Sequence, residues 1–195
     1  MNRKIILASG SANRRIAMDA LNVAYESIPA DIDEKSISDD DHSMRTEKIA
    51  RLKAEKIAQK FPDAIVIAGD SYAVNNGKAF EKPSSLDEAK EMLRQESGGR
   101  GKFYAGFCYI DKQNNIDFST TVVVDFSLRV FSEIEIEKFI EKYPVLTWSG
   151  ALSPANIYGT TMIKEIKGSL NAFVYGIPAE LVIEYLQKSG IEIHP

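Results

Sequence analysis

The apolar residues fall into short compact runs separated by amphipathic stretches. Lys4 to Ala8 reads as a short buried strand; Gly10, Ser11 and Asn13 interrupt it, and Arg14 to Leu21 continues as a helix. Tyr25 to Ile28 fits a second strand, and the acidic, polar stretch Asp31 to Asp41 reads as an exposed loop. Thr46 to Lys60 places Ile49, Leu52, Ile57 and Ala58 among charges, the spacing of an amphipathic helix that stops near Pro62. Ala64 to Ala68 is a compact apolar run, a buried strand with Gly69-Asp70-Ser71 at its carboxyl end. Asn75-Asn76-Gly77 then gives a hairpin signal, because Asn and Gly tolerate positive φ.

In the second half, Ser85 with Glu88 and Ser132 with Glu135 form capping boxes for helices reaching Leu93 and Tyr143. Between them, Phe103 to Ile110 and Phe118 to Val130 flank the polar Asp111 to Asn115 and read as a long hairpin. Met162 to Ile166 fits a strand, Gly168-Ser169 a break, and Pro178 to Gln187 a helix with proline at its start. Helices and strands alternate without a strict βαβ rhythm, so the expectation is an α/β fold around a mixed sheet, one domain spanning 1–195.

Composition narrows the function classes. With 28 acidic against 24 basic residues the net charge is −4, which supplies no overall positive field for a nucleic-acid backbone. A small phosphorylated ligand needs only a local cluster of cations. The apolar run after Met1-Asn2-Arg3-Lys4 is too short for a signal-peptide core or a membrane span, so the expected setting is cytoplasmic, with no membrane partner. The single cysteine, Cys108, lies in an apolar and aromatic run and reads as a core residue.

Candidate chemistry gathers at two places. Leu7-Ala8-Ser9-Gly10-Ser11-Ala12-Asn13-Arg14-Arg15 sets two hydroxyls, a glycine and two guanidiniums at a strand-to-helix junction. Free N–H groups and the helix dipole favour an anion there, and Arg suits bidentate phosphate contact; the alternative is a capped helix with solvated arginines. The P-loop spacing is absent. Asp70, at the end of a buried run, suits a metal ligand or general base. Glu34, Lys53 and Lys82 supply further charge, and their convergence on one pocket would provide what metal-assisted attack on a phosphate needs.

The stretch Leu7 to Arg15 resembles the Leu-Ala-Ser-x-Ser-Pro-Arg-Arg signature of the Maf family. Asp33-Glu34, Lys53-Ala54, Ala68-Gly69-Asp70-Ser71, Lys82-Pro83, Ser97-Gly98 and Gly168-Ser169 with Asn171, Gly176 and Pro178 match in the same order along the chain. The resemblance implies a strongly twisted mixed sheet with helices on both sides, two lobes around a cleft, as in inosine triphosphatase-like folds. It implies hydrolysis of a nucleoside triphosphate between the α and β phosphates, with a divalent cation such as Mg²⁺ or Mn²⁺, in a homodimer. On it, Asp70, Glu34 and Lys82 are catalytic, Glu34 and Asp70 hold the metal, and Ser9, Ser11, Arg14, Arg15 and Lys53 bind substrate. Glu34, Lys53, Asp70 and Lys82 persist, but Ala12 and Asn13 replace Pro and the first Arg within the signature, Gly101 falls where the family has His and Ala155 where it has Gln, mainly on segments the resemblance assigns to the nucleotide pocket. These departures suggest altered or broadened base preference. The rival reading is a non-catalytic nucleotide-binding or division-regulating protein.

Other chemistry is weaker. His42 in its acidic loop and His194 near the end read as solvated, and neither has companions at zinc-ligand spacing. Ser9 and Ser11 lack a partnered histidine for a triad, and Asp39-Asp40-Asp41 lacks a calcium-hand pattern. Trp148 either lines a pocket or fills a core gap.

Overall fold

The computed structural model describes residues 3–193; His194 lies outside them. The elements in order are β1 (Ile5–Leu7), α1 (Ala12–Ala20), β2 (Glu26–Ser27), α2 (His42–Lys60), β3 (Ile65–Asn75), β4 (Lys78–Ala79), α3 (Leu86–Glu96), β5 (Arg100–Asp111), β6 (Ile116–Leu128), α4 (Glu133–Lys142), α5 (Ile157–Thr161), β7 (Ile163–Lys167), α6 (Leu170–Tyr175) and α7 (Ala179–Lys188). Strands pair in the order β2-β1-β3-β5-β6-β7, with β4 on β3. β1 is parallel to both β2 and β3, whereas β4 and β7 run antiparallel to β3 and β6. The sheet is therefore mixed, as the alternation of elements predicts. Among the described residues no helix is long and apolar enough to cross a membrane.

The chain forms two compact units, the first from residues up to 71, 104–122 and from 171, the second from 72–103 and 123–170. In the first, strand alternation sends residues of opposite parity to opposite faces. Ile5, Leu7, Ile65 and Ile67 pack with Met18 of α1 and Tyr185 and Leu186 of α7. Ile6, Ala8, Val66 and Ala68 pack with Ala50, Ala54 and Ile57 of α2. Both faces of β1 and β3 are thus covered, which explains why these strands read as continuous apolar runs. Cys108 is fully buried on the α2 side, and burial pushes its thiol up to about 12.

In the second unit, Asn76 and Gly77 take the left-handed conformations of the expected β3–β4 hairpin. The Ser85 and Ser132 hydroxyls accept from the Glu88 and Glu135 amides, as capping boxes require, but the glutamates look elsewhere: Glu88 to Ser84, Glu135 to Arg129 and Tyr158. Trp148 sits half-buried beside Phe139 and Tyr143, 6.3 and 6.4 Å between centroids, and helps close an aromatic cluster.

Four expectations need correction. α2 begins at His42, because Asp41 caps it by accepting from the Ser43 and Met44 amides. His42 is therefore half-buried against the Tyr104 ring at 5.3 Å and not solvated in a loop. Leu52 is 42% exposed; the buried stripe of α2 runs through Ile49, Lys53 and Ile57. β3 continues through Asn75, so Asp70 lies inside a strand and not at its end. The short helices α5 and α6, too brief to show a period, had no counterpart in the apolar pattern.

Candidate active site

The first unit holds seven of the eight candidate residues, all but Lys82. Asp70 has the parity of Val66 and Ala68, so β3 presents it on the α2 face. There it meets Lys53, one turn from Ile49 and Ile57 on the buried stripe, and Lys53 Nζ donates to Asp70 Oδ1 at 2.9 Å. The same ammonium lies 2.8 Å from Glu34 Oε1. The loop carrying Glu34 is exposed, as its polarity predicts, yet α2 holds it: Lys56 donates to the Asp31 carbonyl, and Arg45 Nε to the Ile37 carbonyl at 3.0 Å. Two carboxylates therefore face one buried cation. An unpaired buried charge is costly, so this mutual arrangement is what lets Lys53 and Asp70 stay 8% and 7% exposed.

Gly69 and Ser71 have the other parity and meet α1. Arg14 is buried, donating from Nε to the Gly176 carbonyl at 2.9 Å, from Nη1 to Ser9 Oγ at 3.1 Å and from Nη2 to Ser71 Oγ at 2.8 Å. Burial lowers its guanidinium from the ordinary value, and the fields of Asp70 and Glu34 oppose that shift. Ser9 Oγ also accepts from the Ser11 amide at 3.2 Å. Because both contacts use the oxygen as acceptor, the Ser9 hydroxyl proton is left to donate to an incoming anion.

Ser11 caps α1 by accepting from the Arg14 amide, and Arg15 donates to the Gly10 carbonyl at 3.0 Å. These residues flank the helix N-terminus, whose first-turn N–H groups favour negative charge. Lys82 belongs to the second unit, is exposed, and its side chain makes no ion pair or hydrogen bond among the described residues. Reading the sequence missed two partners of the site, Ser71 and the Gly176 carbonyl. Each stands in a stretch that matched the family, but a hydroxyl and a peptide oxygen carry no charge pattern to single them out.

Among the described residues no group of three or more His, Cys, Asp or Glu side chains gathers to cage a metal. Glu34 and Asp70 are a pair of oxygen donors that both face the Lys53 ammonium. That set fits Mg²⁺ or Mn²⁺, which commonly take one or two carboxylates and complete their shell with water and substrate phosphates.

The Maf-like protein family model matches residues 4–189. The chain belongs to the Maf-like family. This Maf-like protein is 32% identical over 190 residues to a dTTP/UTP pyrophosphatase of Syntrophus aciditrophicus, covering 97% of this chain and 92% of the relative. It is 26% identical over 194 residues to a 7-methyl-GTP pyrophosphatase of Neisseria meningitidis, covering 97% and 96%. Among solved structures, the Staphylococcus aureus Ham1 protein superposes with a TM-score of 0.52 at 16% identity, over 96% of this chain and all of that one, a likeness of fold.

Proposed function

We propose that this Maf-like protein hydrolyses nucleoside triphosphates between the α and β phosphates, releasing a nucleoside monophosphate and pyrophosphate. The observation that carries the reading is the Glu34–Lys53–Asp70 cluster, two carboxylates that share one buried ammonium and whose field reaches Arg14 of α1. Membership of a family whose relatives are named pyrophosphatases supports it.

In this reading water attacks the α phosphorus, its proton passes to an Asp70 carboxylate oxygen, and the bridging oxygen leaves with pyrophosphate. Lys53 neutralises phosphate oxygens, Ser9 donates its free hydroxyl proton, and the α1 N-terminus with Ser11 and Arg15 holds the polyphosphate. Arg14 adds positive charge from behind. Glu34 and Asp70 would hold a divalent cation, which when bound would supply further positive charge to the phosphate oxygens.

The two relatives are named for different bases, and the departures at Gly101 and Ala155 lie away from the charged cluster in sequence. The base preference is therefore expected to be broad or redirected. The protein is proposed to act in the cytoplasm as a homodimer.

Purified protein with Mg²⁺ or Mn²⁺ and a panel of ordinary and modified triphosphates tests this. Monophosphate and pyrophosphate are the expected products. Diphosphate and phosphate would overturn the assigned bond, and strict thymidine or uridine triphosphate preference would refute the altered specificity.

A further inference from the structure

Resting on that reading, we infer that Arg14 is a positioning residue that fixes the Asp70 segment of β3, and not a ligand of the phosphates. Three observations within the first unit carry this. First, strand alternation separates the two groups: Asp70 points to the α2 face with Lys53, whereas the residues on either side of it, Gly69 and Ser71, lie toward Arg14. Second, the guanidinium is committed at all three of its nitrogens, to the Gly176 carbonyl, Ser9 Oγ and Ser71 Oγ, three segments distant in sequence. A free phosphate-binding fork keeps its nitrogens open for two parallel bonds, whereas here three of the five N–H groups, one on each nitrogen, already end on protein oxygens.

Third, the backbone has been cleared for this arrangement. A Cβ at Gly69 would meet Arg14 Nε at 3.0 Å, and one at Gly176, where φ is +69°, would meet Ser71 Oγ at 2.6 Å. The glycine immediately before Asp70 and the glycine after α6 thus make room for the same guanidinium and hydroxyl. The result is a tie from the end of β1, through Arg14, to the residue after Asp70 and onward to the α6–α7 connection. Such a tie restricts where the Asp70 backbone sits, and small displacements of a reacting group cost large factors in rate.

The test compares Arg14→Lys, Arg14→Ala and Ser71→Ala with the parent protein in steady-state pyrophosphate release and in amide hydrogen exchange. The expected result for Arg14→Lys and Arg14→Ala is kcat lower by about 10- to 100-fold with KM within about threefold, the usual size for loss of an orienting partner. Ser71→Ala, which keeps the charge and the fold, shows the same split to a smaller degree. Methylguanidine restores part of the kcat of Arg14→Ala. Exchange protection near residues 70–72 and 176 falls in all three variants.

A KM raised tenfold or more with kcat nearly unchanged would make Arg14 a phosphate ligand and overturn the inference. Unaltered exchange protection in Ser71→Ala and Arg14→Lys would do the same. If the parent protein releases no pyrophosphate while exchange responds as expected, the proposed reaction fails and the tie stands.

Discussion

Asp70 in the first unit and Glu96 in the second are both withdrawn from water, at 7% and 3% exposure, but their surroundings are opposite. Asp70 accepts from the Lys53 ammonium, which Glu34 also faces. Among the described residues Glu96 meets no cation, and its Oε2 and the Oδ1 of neighbouring Asn75 find no hydrogen-bond partner; burial pushes the carboxyl up to about 8 against an opposing hydrogen bond from Asn75. One carboxylate is kept beside compensating charge, where it can attract cations; the other is pushed toward its neutral form by burial. The difference separates a site from a structural acid: burial alone perturbs a carboxyl, whereas reactivity also needs partners that tolerate its charge.

The sharpest way to break this contrast is to remove the compensating cation. In Lys53→Met, Asp70 becomes a second unpaired buried carboxyl, and the expected stability loss is about 3 to 5 kcal/mol in urea unfolding. Pyrophosphate release should fall by about 100-fold or more. The double variant Lys53→Met/Asp70→Asn should recover most of the stability and none of the turnover. If Lys53→Met alone unfolds like the parent, the pair contributes no more than a surface ion pair.

How much of this was readable beforehand differs between the two carboxyls for a physical reason. Asp70 follows an apolar run, and a lysine spaced four residues from Ile49 and again from Ile57 marks a cation on a buried helix stripe, so both members of the pair leave a local trace. The extension of β3 beyond Asp70 leaves none, because Gly69, Asp70 and Ser71 carry no apolar alternation and are held by pairing within the sheet. Arg14 reads as a phosphate-seeking or solvated side chain; its burial depends on Gly176, 162 residues away. Glu96 stands at the end of a helix after Arg94 and Gln95, where an acidic residue looks exposed, and Gly150, far along the chain, lies close against its carboxyl. Gly101 shows the same limit. A side chain at that position would meet the Val74 carbonyl at 2.2 Å and Phe126 at 2.9 Å, so the family's histidine has no room on this backbone.

The next effect in size comes from crowding the neutral acid. Gly150 has φ +66°, and a Cβ there would lie 2.7 Å from Glu96 Oε1. Gly150→Ala should therefore cost about 2 to 3 kcal/mol, from backbone strain and overpacking together, measured by chemical denaturation. Glu96→Ala in the same background should return the overpacking part and leave the strain. A Gly150→Ala variant as stable as the parent would mean that the Glu96 carboxyl moves aside freely and is not held in place.

The smallest effect tests the charge state itself. Glu96 has a folded-state value of about 8 against an ordinary 4.5, so the folded state binds the proton more tightly. Stability from this group is fully present below pH 4.5, declines as pH rises toward 8, and levels off above it, where the carboxylate is ionised in both states. Glu96→Gln replaces the neutral acid with a neutral amide of similar shape and cannot ionise. It should be destabilising by about 1 kcal/mol near pH 4.5, where the amide must find its own partners beside Asn75, and stabilising by about 1 to 2 kcal/mol at pH 7, where the parent carboxyl has lost its advantage. Urea unfolding of both proteins from pH 5 to 9 reads the difference directly. Parallel curves would show that Glu96 ionises in the fold as it does in water, erasing the contrast with Asp70, whereas curves that diverge upward from pH 5 place the uncompensated acid in the second unit and the working one in the first.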